Sequence, residues 1–326
     1  MIATPPKEGR IRSGRIPEDG IRRFWRMSKR QWQLYLFMLI PFVYLCVFCY
    51  YPMLGLQIAF KKYSVLKGIW GSPWIGFEHF EKFFSSYQFQ RVLINTIRIS
   101  LYSLAVNFPL SIIYALFLNV MRNLRVKKVI QTITYIPHFI STVVMVGVLF
   151  QLFNSVSGVY GTIYRLLGGS GYPMDLFSTA NTFDHMYVWS GVWQHLGWNS
   201  IIYISALAGV DPELHEAAEI DGATRLKRIW HIDVPTILPT ASIILIMDFG
   251  HIMGVGFEKT YLLQNTMNLA RSEVISTYIY KVGLKSSNTF SYGTAIGLFN
   301  SVINCTLLVL VNALSRRFNS EGASLW

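Results

Sequence analysis

Six long apolar segments most constrain the fold of this 326-residue chain. Each is close to the ~20 residues that an α-helix needs to cross ~30 Å of hydrocarbon. They lack the period-two alternation that membrane strands require. Because the bilayer core holds no water to satisfy the backbone, the pattern predicts an all-α membrane protein with six transmembrane helices. The predicted spans lie at about 34–56, 93–118, 131–153, 187–209, 236–257 and 292–314.

The charge of the chain agrees with a membrane location. Charged residues make up only 14% of the sequence, whereas soluble domains carry about 25%. The formal net charge of +12 suits either nucleic acid or the anionic inner leaflet of a membrane. The basic residues cluster at the ends of apolar runs and no nucleic-acid-binding motif accompanies them. We therefore expect the lipid bilayer as a partner, and no nucleic acid.

The distribution of Lys and Arg predicts the orientation in the membrane. Eighteen of them lie on one side: nine before the first span, four after the second, three after the fourth and two after the sixth. The opposite, longer loops hold ten, among them Lys259. The positive-inside rule predicts a multi-pass membrane protein with both termini and the 210–235 loop in the cytoplasm.

The chain has no internal repeat and no low-complexity linker, which suggests one membrane domain. Residues 1–33 form a basic cytoplasmic segment in which 21–32 mixes Arg with Phe24, Trp25 and Trp32, typical of an interfacial amphipathic helix. The apolar run that follows is too long for a cleavable signal. Residues 34–314 form the transmembrane domain, and 315–326 a cytoplasmic tail. Cys46 and Cys49 lack further ligands nearby, so no metal site is predicted.

The cytoplasmic loop between spans four and five predicts a helix–turn–helix. Asp211 is a good N-cap, and Pro212 suits the first helical position. Gly222 ends the first helix, where a positive φ costs a glycine little. Thr224 can cap a second helix, and Pro235 is expected to set the entry to span five. The narrow face of the first helix consists of Leu214, Ala217, Ala218 and Asp221.

The spacing within this loop carries a family resemblance. Glu216-Ala217-Ala218, three residues, Gly222, nine residues, then Ile232 and Pro235 resembles the EAA loop of binding-protein-dependent ABC importer permeases. Val234 stands where leucine is usual. The segments "DPELHEAAEIDGAT", "IWHIDVPTILP", "WIGFEHFEKFF" and "YIPHFIS" resemble the carbohydrate-uptake branch. The resemblance covers about 34–314, and the length and N-terminus resemble the subfamily that handles large oligosaccharides, including alginate-type uronates.

This resemblance implies a location in the bacterial inner (plasma) membrane and a coupling role for the EAA loop, here 211–239. The loop would dock in a groove of an ATP-binding subunit whose closure on ATP and Mg drives the spans between inward- and outward-facing states. The implied partners are a second homologous permease subunit, two ATP-binding subunits and a periplasmic or extracellular solute-binding protein. The chain itself has no G-x-x-x-x-G-K-[ST] and is expected to hold no cofactor. The predicted coupling residues are Glu216, Ala217, Ala218, Asp221, Gly222, Ile232 and Pro235.

Polar residues within the spans are candidates for a substrate pathway, because each is costly in lipid. Asp248 and His251 share a face of span five, and Gly250 with Gly254 predicts close helix packing there. The two polar side chains could pair with each other, line a substrate cavity, bind across the partner subunit, or simply form hydrogen bonds in the helix interface.

Aromatic and amide side chains extend the candidate pathway. Sugars stack on aromatic faces with polar groups at the rim. Trp189 fits an aromatic belt at the outer leaflet better. Asn304 suits helix packing, and Arg98 in span two receives no role. The further pathway candidates are Trp193, Gln194, Trp198, Asn199 and Asn300.

Three classes of function compete. An intramembrane hydrolase could use Asp248, His251 or Glu258, but the chain has no H-E-x-x-H and no second intramembrane carboxylate to pair with Asp248. A membrane scaffold would not need polar groups on several spans. The sequence favours a non-catalytic permease subunit for an oligosaccharide or polysaccharide, with an acidic, alginate-like substrate as one candidate. The positive-inside bias already explains most of the basic charge, so the saccharide stays open.

Overall fold

The computed structural model describes residues 31–286 and 289–318, with side chains up to 315. Nearly all of the described chain is helical, and within it only an isolated bridge between Lys61 and Trp74 has strand geometry. The predicted interfacial helix at 21–32 and the tail at 315–326 lie largely outside the described residues. The α-helices are α1 Trp32–Tyr44, α2 Gly68–Gly71, α3 Glu78–Phe84, α4 Tyr87–Val120, α5 Leu124–Tyr135, α6 Thr142–Leu152, α7 Val159–Leu166, α8 Phe183–Leu207, α9 Pro212–Ile220, α10 Arg225–Arg228, α11 Val234–Gly250, α12 Phe257–Leu263, α13 Leu269–Ser272, α14 Ile275–Tyr280 and α15 Phe290–Phe318.

The chain divides into two compact units, Met1–Leu56 and Gln57–Trp326. In the first unit, α1 continues as a π-helix over Leu45–Tyr50 and then as a 3₁₀-helix. Its large apolar side chains are exposed throughout. An exposed apolar helix of this length fits a lipid-facing span.

The described helices partly reproduce the predicted spans. Four helical stretches are long and apolar enough to cross a membrane: Trp32–Phe60, Tyr87–Val120, Arg225–Gly250 and Phe290–Ser315. A fifth is added if a bent pair of helices counts as one span. The helix α8 lies where span four is predicted, but it is not among these stretches and contains Asp184, Gln194 and two histidines. The prediction of six spans is therefore met only in part.

The third predicted span, 131–153, is not one straight helix. The chain bends by 104° between the stretch Leu124–Phe139 and the helix Thr142–Leu152. Pro137 has no N–H to continue the helical ladder, and Ile140 is extended. The Ser141 hydroxyl then caps α6 by accepting from Val144 N at 3.4 Å. Gln194 Nε2 donates to the Ile140 carbonyl at 2.8 Å, so a side chain of α8 satisfies the broken backbone.

The fifth predicted span begins and ends earlier than its apolar run suggests. The helix starts at Arg225, passes through a π-helical turn at Ile229–Asp233 and ends at Gly250 rather than 257. Pro235 therefore does not separate the loop from the span, since the wider π turn just before it accommodates the missing N–H. A Cβ on Gly250 would lie 2.7 Å from Leu308, which confirms close packing there, but Gly254 lies beyond the helix end.

The second unit encloses three apolar clusters that hold the site helices in place. The most extensive helix contact joins α4 to α8, and α11 packs against both α8 and α15. One cluster lies between α6 and the N-terminal parts of α4 and α8, a second between α3, α4, α14 and α15, and a third between α4, α8 and α11. The third includes Tyr203, Leu207, Ile237 and Ala241. These contacts place α4, α8 and α11 side by side.

Candidate functional site

The loop between α8 and α11 folds as the predicted helix–turn–helix. Asp211 caps α9 by accepting from Glu213 N at 3.0 Å. Gly222 has φ +76°, and the bonds Ala223 N to Ala218 O (2.9 Å) and Gly222 N to Glu219 O (3.1 Å) close a Schellman motif. Thr224 then caps α10 through Lys227 N at 3.5 Å. The predictions for both caps and for the glycine stop are confirmed.

One buried carboxylate ties this loop to the helix bundle. Asp233 is 1% exposed. Its Oδ1 lies 3.3 Å from His215 Nε2 on α9 and accepts from Asn119 Nδ2 on α4 at 3.2 Å. A second contact within the loop joins Arg228 Nη1 to Glu219 Oε2 at 2.8 Å. Sequence reasoning missed Asp233 as a site residue, although its place between the basic turn and Pro235 marks it as an acid at a membrane boundary.

The predicted coupling residues lie together on this loop. Ala218 and Ile232 are half-buried, whereas the other five are exposed: Glu216, Ala217, Asp221, Gly222 and Pro235. The loop also exposes large apolar side chains, namely Leu214, Ile220, Leu226 and Trp230. Glu216 borders a cavity of about 430 Å³ together with His215 and Asp233. Exposed apolar residues that lie together are typical of surfaces that contact a protein or a membrane.

A cavity of about 350 Å³ with several polar side chains in its lining lies between α4, α8, the end of α11 and the start of α12. Asp248, His251, Asn107, Asn199 and Lys259 are among its lining residues. A second cavity of about 320 Å³ shares Asn107, Asn199 and Asp248 with it and adds Trp198. The two cavities are therefore adjacent, and together they are called the groove; carboxylate, amide, imidazole and ammonium groups lie on its walls. Volumes of this order are typical of small-molecule sites.

The predicted pathway candidates divide between this groove and other places. Asp248, His251, Asn199 and Trp198 line it. Gln194 is instead buried, and its Nε2 donates to the Ile140 carbonyl at the helix bend. Trp193 borders a separate, almost wholly apolar hollow of about 340 Å³ between α6 and α8.

Two details of the candidates bear on the alternatives left open by the sequence. His251 Nδ1 lies 2.9 Å from the Met247 carbonyl, and the ion pairs among described residues do not include His251 with Asp248. Asn300 lines neither polar cavity. Its Oδ1 is buried and accepts no hydrogen bond from the described residues. Asn304 Oδ1, by contrast, accepts from Met253 N at 3.0 Å.

Several groups in the groove were not predicted as pathway residues, among them Asn107, Tyr187 and Lys259. The positive-inside count assigns Lys259 to an external loop. The early end of α11 at Gly250 instead turns the chain back, so that α12 places Lys259 beside α8. Its position two residues after the predicted end of span five is the one sequence signal that could have raised it as a candidate.

Arg98, which received no role from the sequence, belongs to a polar network with α8. Its Nε lies 2.7 Å from Asp184 Oδ2, and its Nη2 donates to Asp184 Oδ1 at 3.2 Å and to the Arg271 carbonyl at 3.1 Å. Asp184 is 7% exposed. The arginine thus neutralises a buried carboxylate and fixes α4 to α8 and to the 271–273 segment.

The same segment has a second ionic centre at Glu273, which is 1% exposed. It contacts Arg91 and lies 3.2 Å from Lys281 Nζ. Among the described residues, no cluster of His, Cys, Asp or Glu could hold a metal ion. The charged groups at this end of α4 are thus paired within the protein.

Long apolar helices around a polar groove, joined by an exposed and well-capped helical loop, define a helical membrane protein of the permease class. Residues 107–320 match the model of the binding-protein-dependent transport system inner membrane component. The chain belongs to this family of importer permeases, which are transport components rather than enzymes. The hydrolase and scaffold alternatives are thereby set aside.

Individual relatives agree with this assignment. The chain is 39% identical over 293 residues to the polygalacturonan/rhamnogalacturonan transport system permease protein YteP of Bacillus subtilis (strain 168), covering 90% of each chain. It is similar to a solved bacterial ABC transporter involved in the import of the acidic polysaccharide alginate (TM-score 0.83, 37% identity, 90% of this chain and 99% of that chain). A structure of a bacterial alginate ABC transporter with an alginate pentasaccharide-bound periplasmic protein matches equally well (TM-score 0.83, 36% identity, 91% and 98%).

Proposed function

We propose that this chain is the transmembrane permease subunit of an ATP-driven importer that moves an acidic oligosaccharide or polysaccharide across the bacterial inner membrane by alternating access. The relatives with polygalacturonan/rhamnogalacturonan and alginate in their descriptions support a polysaccharide as substrate. In this proposal residues 1–33 and 315–326 lie in the cytoplasm and 34–314 form the transmembrane domain.

The observation that carries the proposal is one helical stretch that connects the EAA loop to the groove. Arg225–Gly250 runs for 26 residues without a break, a length of ~39 Å. Its first turns belong to the loop, and Asp248 near its other end lines the groove. His215 and Asp233 link α9 to the same stretch. A displacement of α9 would therefore move the groove wall as part of a rigid-body switch.

The surface chemistry supports the proposed partners. The exposed apolar residues of the loop, with Glu216 beside them, would dock in a groove of an ATP-binding subunit. Two such subunits would bind ATP and Mg, since this chain lacks a P-loop. A second homologous permease would complete the pathway, and the alginate transporter bound to a periplasmic protein supports a solute-binding protein as the delivery partner.

Reconstitution of the complete complex in liposomes tests the proposal. Wild-type complex should couple ATP hydrolysis to uptake of an acidic oligosaccharide only with the binding protein present. Glu216→Lys should lower uptake per ATP hydrolysed, because it reverses a charge on the docking surface. Glu213→Lys is the matched control on the same helix. It should lower the stability of α9 by no more than the loss of a favourable helix-dipole contact. Failure of any ATPase subunit to co-purify, or normal coupling in Glu216→Lys, would contradict the docking role.

A further inference from the structure

One cation on the wall of the groove has no part in the coupling described above. Lys259 lies in the first turn of α12 and is partly exposed to the cavity of about 350 Å³. Its Nζ donates to the Tyr187 carbonyl of α8 at 2.7 Å and lies 4.7 Å from the centroid of the Tyr187 ring. The ammonium is thus fixed at a defined point on the cavity wall.

The backbone of α8 leaves room for this ammonium. A Cβ added to Gly191 would lie 3.2 Å from Lys259 Nζ, a tight contact, so the glycine leaves space for the lysine close to the helix. Tyr187 is itself held in place, because its hydroxyl accepts from Gly256 N at 3.2 Å. The position of Lys259 is therefore determined from both α8 and the segment that leads into α12.

The ammonium retains capacity for a ligand. It has three donors, of which the Tyr187 carbonyl uses one. None of the ion pairs among the described residues includes Lys259. A partly buried cation without a carboxylate partner is costly, and an anionic ligand would offset that cost.

The rest of the groove matches the other groups of a sugar. Asn107, Asn199 and Asp248 each line both cavities. Amides both donate and accept hydrogen bonds, and a carboxylate accepts from hydroxyl groups. The groove therefore has one cationic position and one position suited to several hydroxyls.

We propose that Lys259 binds the carboxylate of an acidic sugar residue during transport, while Asp248, Asn107 and Asn199 bind hydroxyl groups of the same chain. This inference rests on the proposed transport function and names the residue that would select acidic over neutral saccharides.

The test is equilibrium binding to the detergent-purified complete complex without its binding protein. The probes are a short uronic-acid oligosaccharide and the same oligosaccharide after reduction of its carboxyl groups. Wild type should bind the acidic form at least about tenfold more tightly, as expected for a hydrogen bond to a charged group. Lys259→Gln should lose this preference while its affinity for the reduced form changes less than about twofold. Lys259→Arg should keep most of the preference for the acidic form. Lys62→Gln changes an exposed loop lysine and should match wild type.

Three results would overturn the assignment: no acidic preference in wild type, an unchanged preference in Lys259→Gln, or equal losses for both probes, which would indicate a purely structural lysine. Coupled uptake in liposomes is measured in parallel with the same variants. Normal uptake of the acidic oligosaccharide by Lys259→Gln would overturn this inference and leave the transport function intact. Absence of uptake in wild type would instead contradict the proposed function itself.

Discussion

His215 Nε2 lies 3.3 Å from Asp233 Oδ1, and this contact joins the exposed helix α9 to the π turn that leads into α11. The same carboxylate oxygen accepts from Asn119 on α4. One buried acid therefore fixes three elements: the loop helix, the helix that extends to the groove, and the long helix α4. The proposed transfer of motion from the loop to the groove depends on this junction.

His215→Ala should weaken coupling more than folding. The substitution removes one of two partners of a buried carboxylate, a loss of about 1–3 kcal/mol. Uptake per ATP hydrolysed should fall, while the complex still assembles. His231→Ala is the matched control, because His231 is exposed in the same π turn and its Nδ1 contacts only the nearby Lys227 carbonyl at 2.9 Å. Equal coupling ratios in the two variants would contradict the role of the junction.

Gly222 should tolerate asparagine but not valine. Its φ of +76° is the left-handed conformation, and no atom lies within 4 Å of an added Cβ. Backbone strain rather than crowding therefore decides the outcome, at about 1–2 kcal/mol for an ordinary residue. Asparagine adopts this conformation more readily. We expect Gly222→Val to lower uptake per ATP and Gly222→Asn to stay near wild type in proteoliposomes. Normal coupling in Gly222→Val would show that the turn is not needed.

Local signals predicted the loop well because caps and turns depend on few residues. Asp211, Gly222 and Thr224 each act on backbone groups within five positions, and all three have the expected roles. The predicted docking to a partner came instead from the spacing of the EAA loop, because caps and turns carry no information about a partner. The coupling roles of Glu216 and its neighbours stay predictions.

Longer-range features could not be read from the sequence. An apolar run reports its length but not a bend, and the 104° turn in the third run is stabilised by Gln194 from another helix. The run at 236–257 likewise gave no sign that its helix ends at Gly250. That early end brings Lys259 into the groove. The error in the predicted end of span five therefore also assigned this groove residue to an external loop.

Asn304 and Asn300 offer a paired test of polar groups in the last span. Asn304→Leu removes the acceptor of the buried Met253 N–H and should destabilise the protein by about 1–3 kcal/mol. Asn300→Leu removes a carbonyl oxygen that is already buried without a described partner, and should leave stability unchanged or raise it. Thermal unfolding of the complex in detergent distinguishes the two. A larger loss in Asn300→Leu would indicate that Asn300 meets a partner subunit or the substrate.

Trp198 and Trp193 lie on the same helix but border different cavities. Substituting each in turn therefore distinguishes an aromatic side chain that binds sugar from one that only packs. Trp198 lines the groove beside Asp248 and stacks on His138 with 4.2 Å between ring centroids. Trp193 borders the apolar hollow near Met145. Trp198→Ala should weaken oligosaccharide binding by about twofold to tenfold, the equivalent of ~0.5–1.5 kcal/mol for an aromatic contact.

Trp193→Ala should leave that affinity within about twofold of wild type, although it enlarges a hollow and should lower thermal stability. Both variants are compared by equilibrium binding of the acidic oligosaccharide to purified complex, with gel filtration to verify assembly. If Trp193→Ala lost affinity and Trp198→Ala did not, the sugar would have to pass on the α6 side of α8. The groove lined by Asp248 and Lys259 would then not be the pathway.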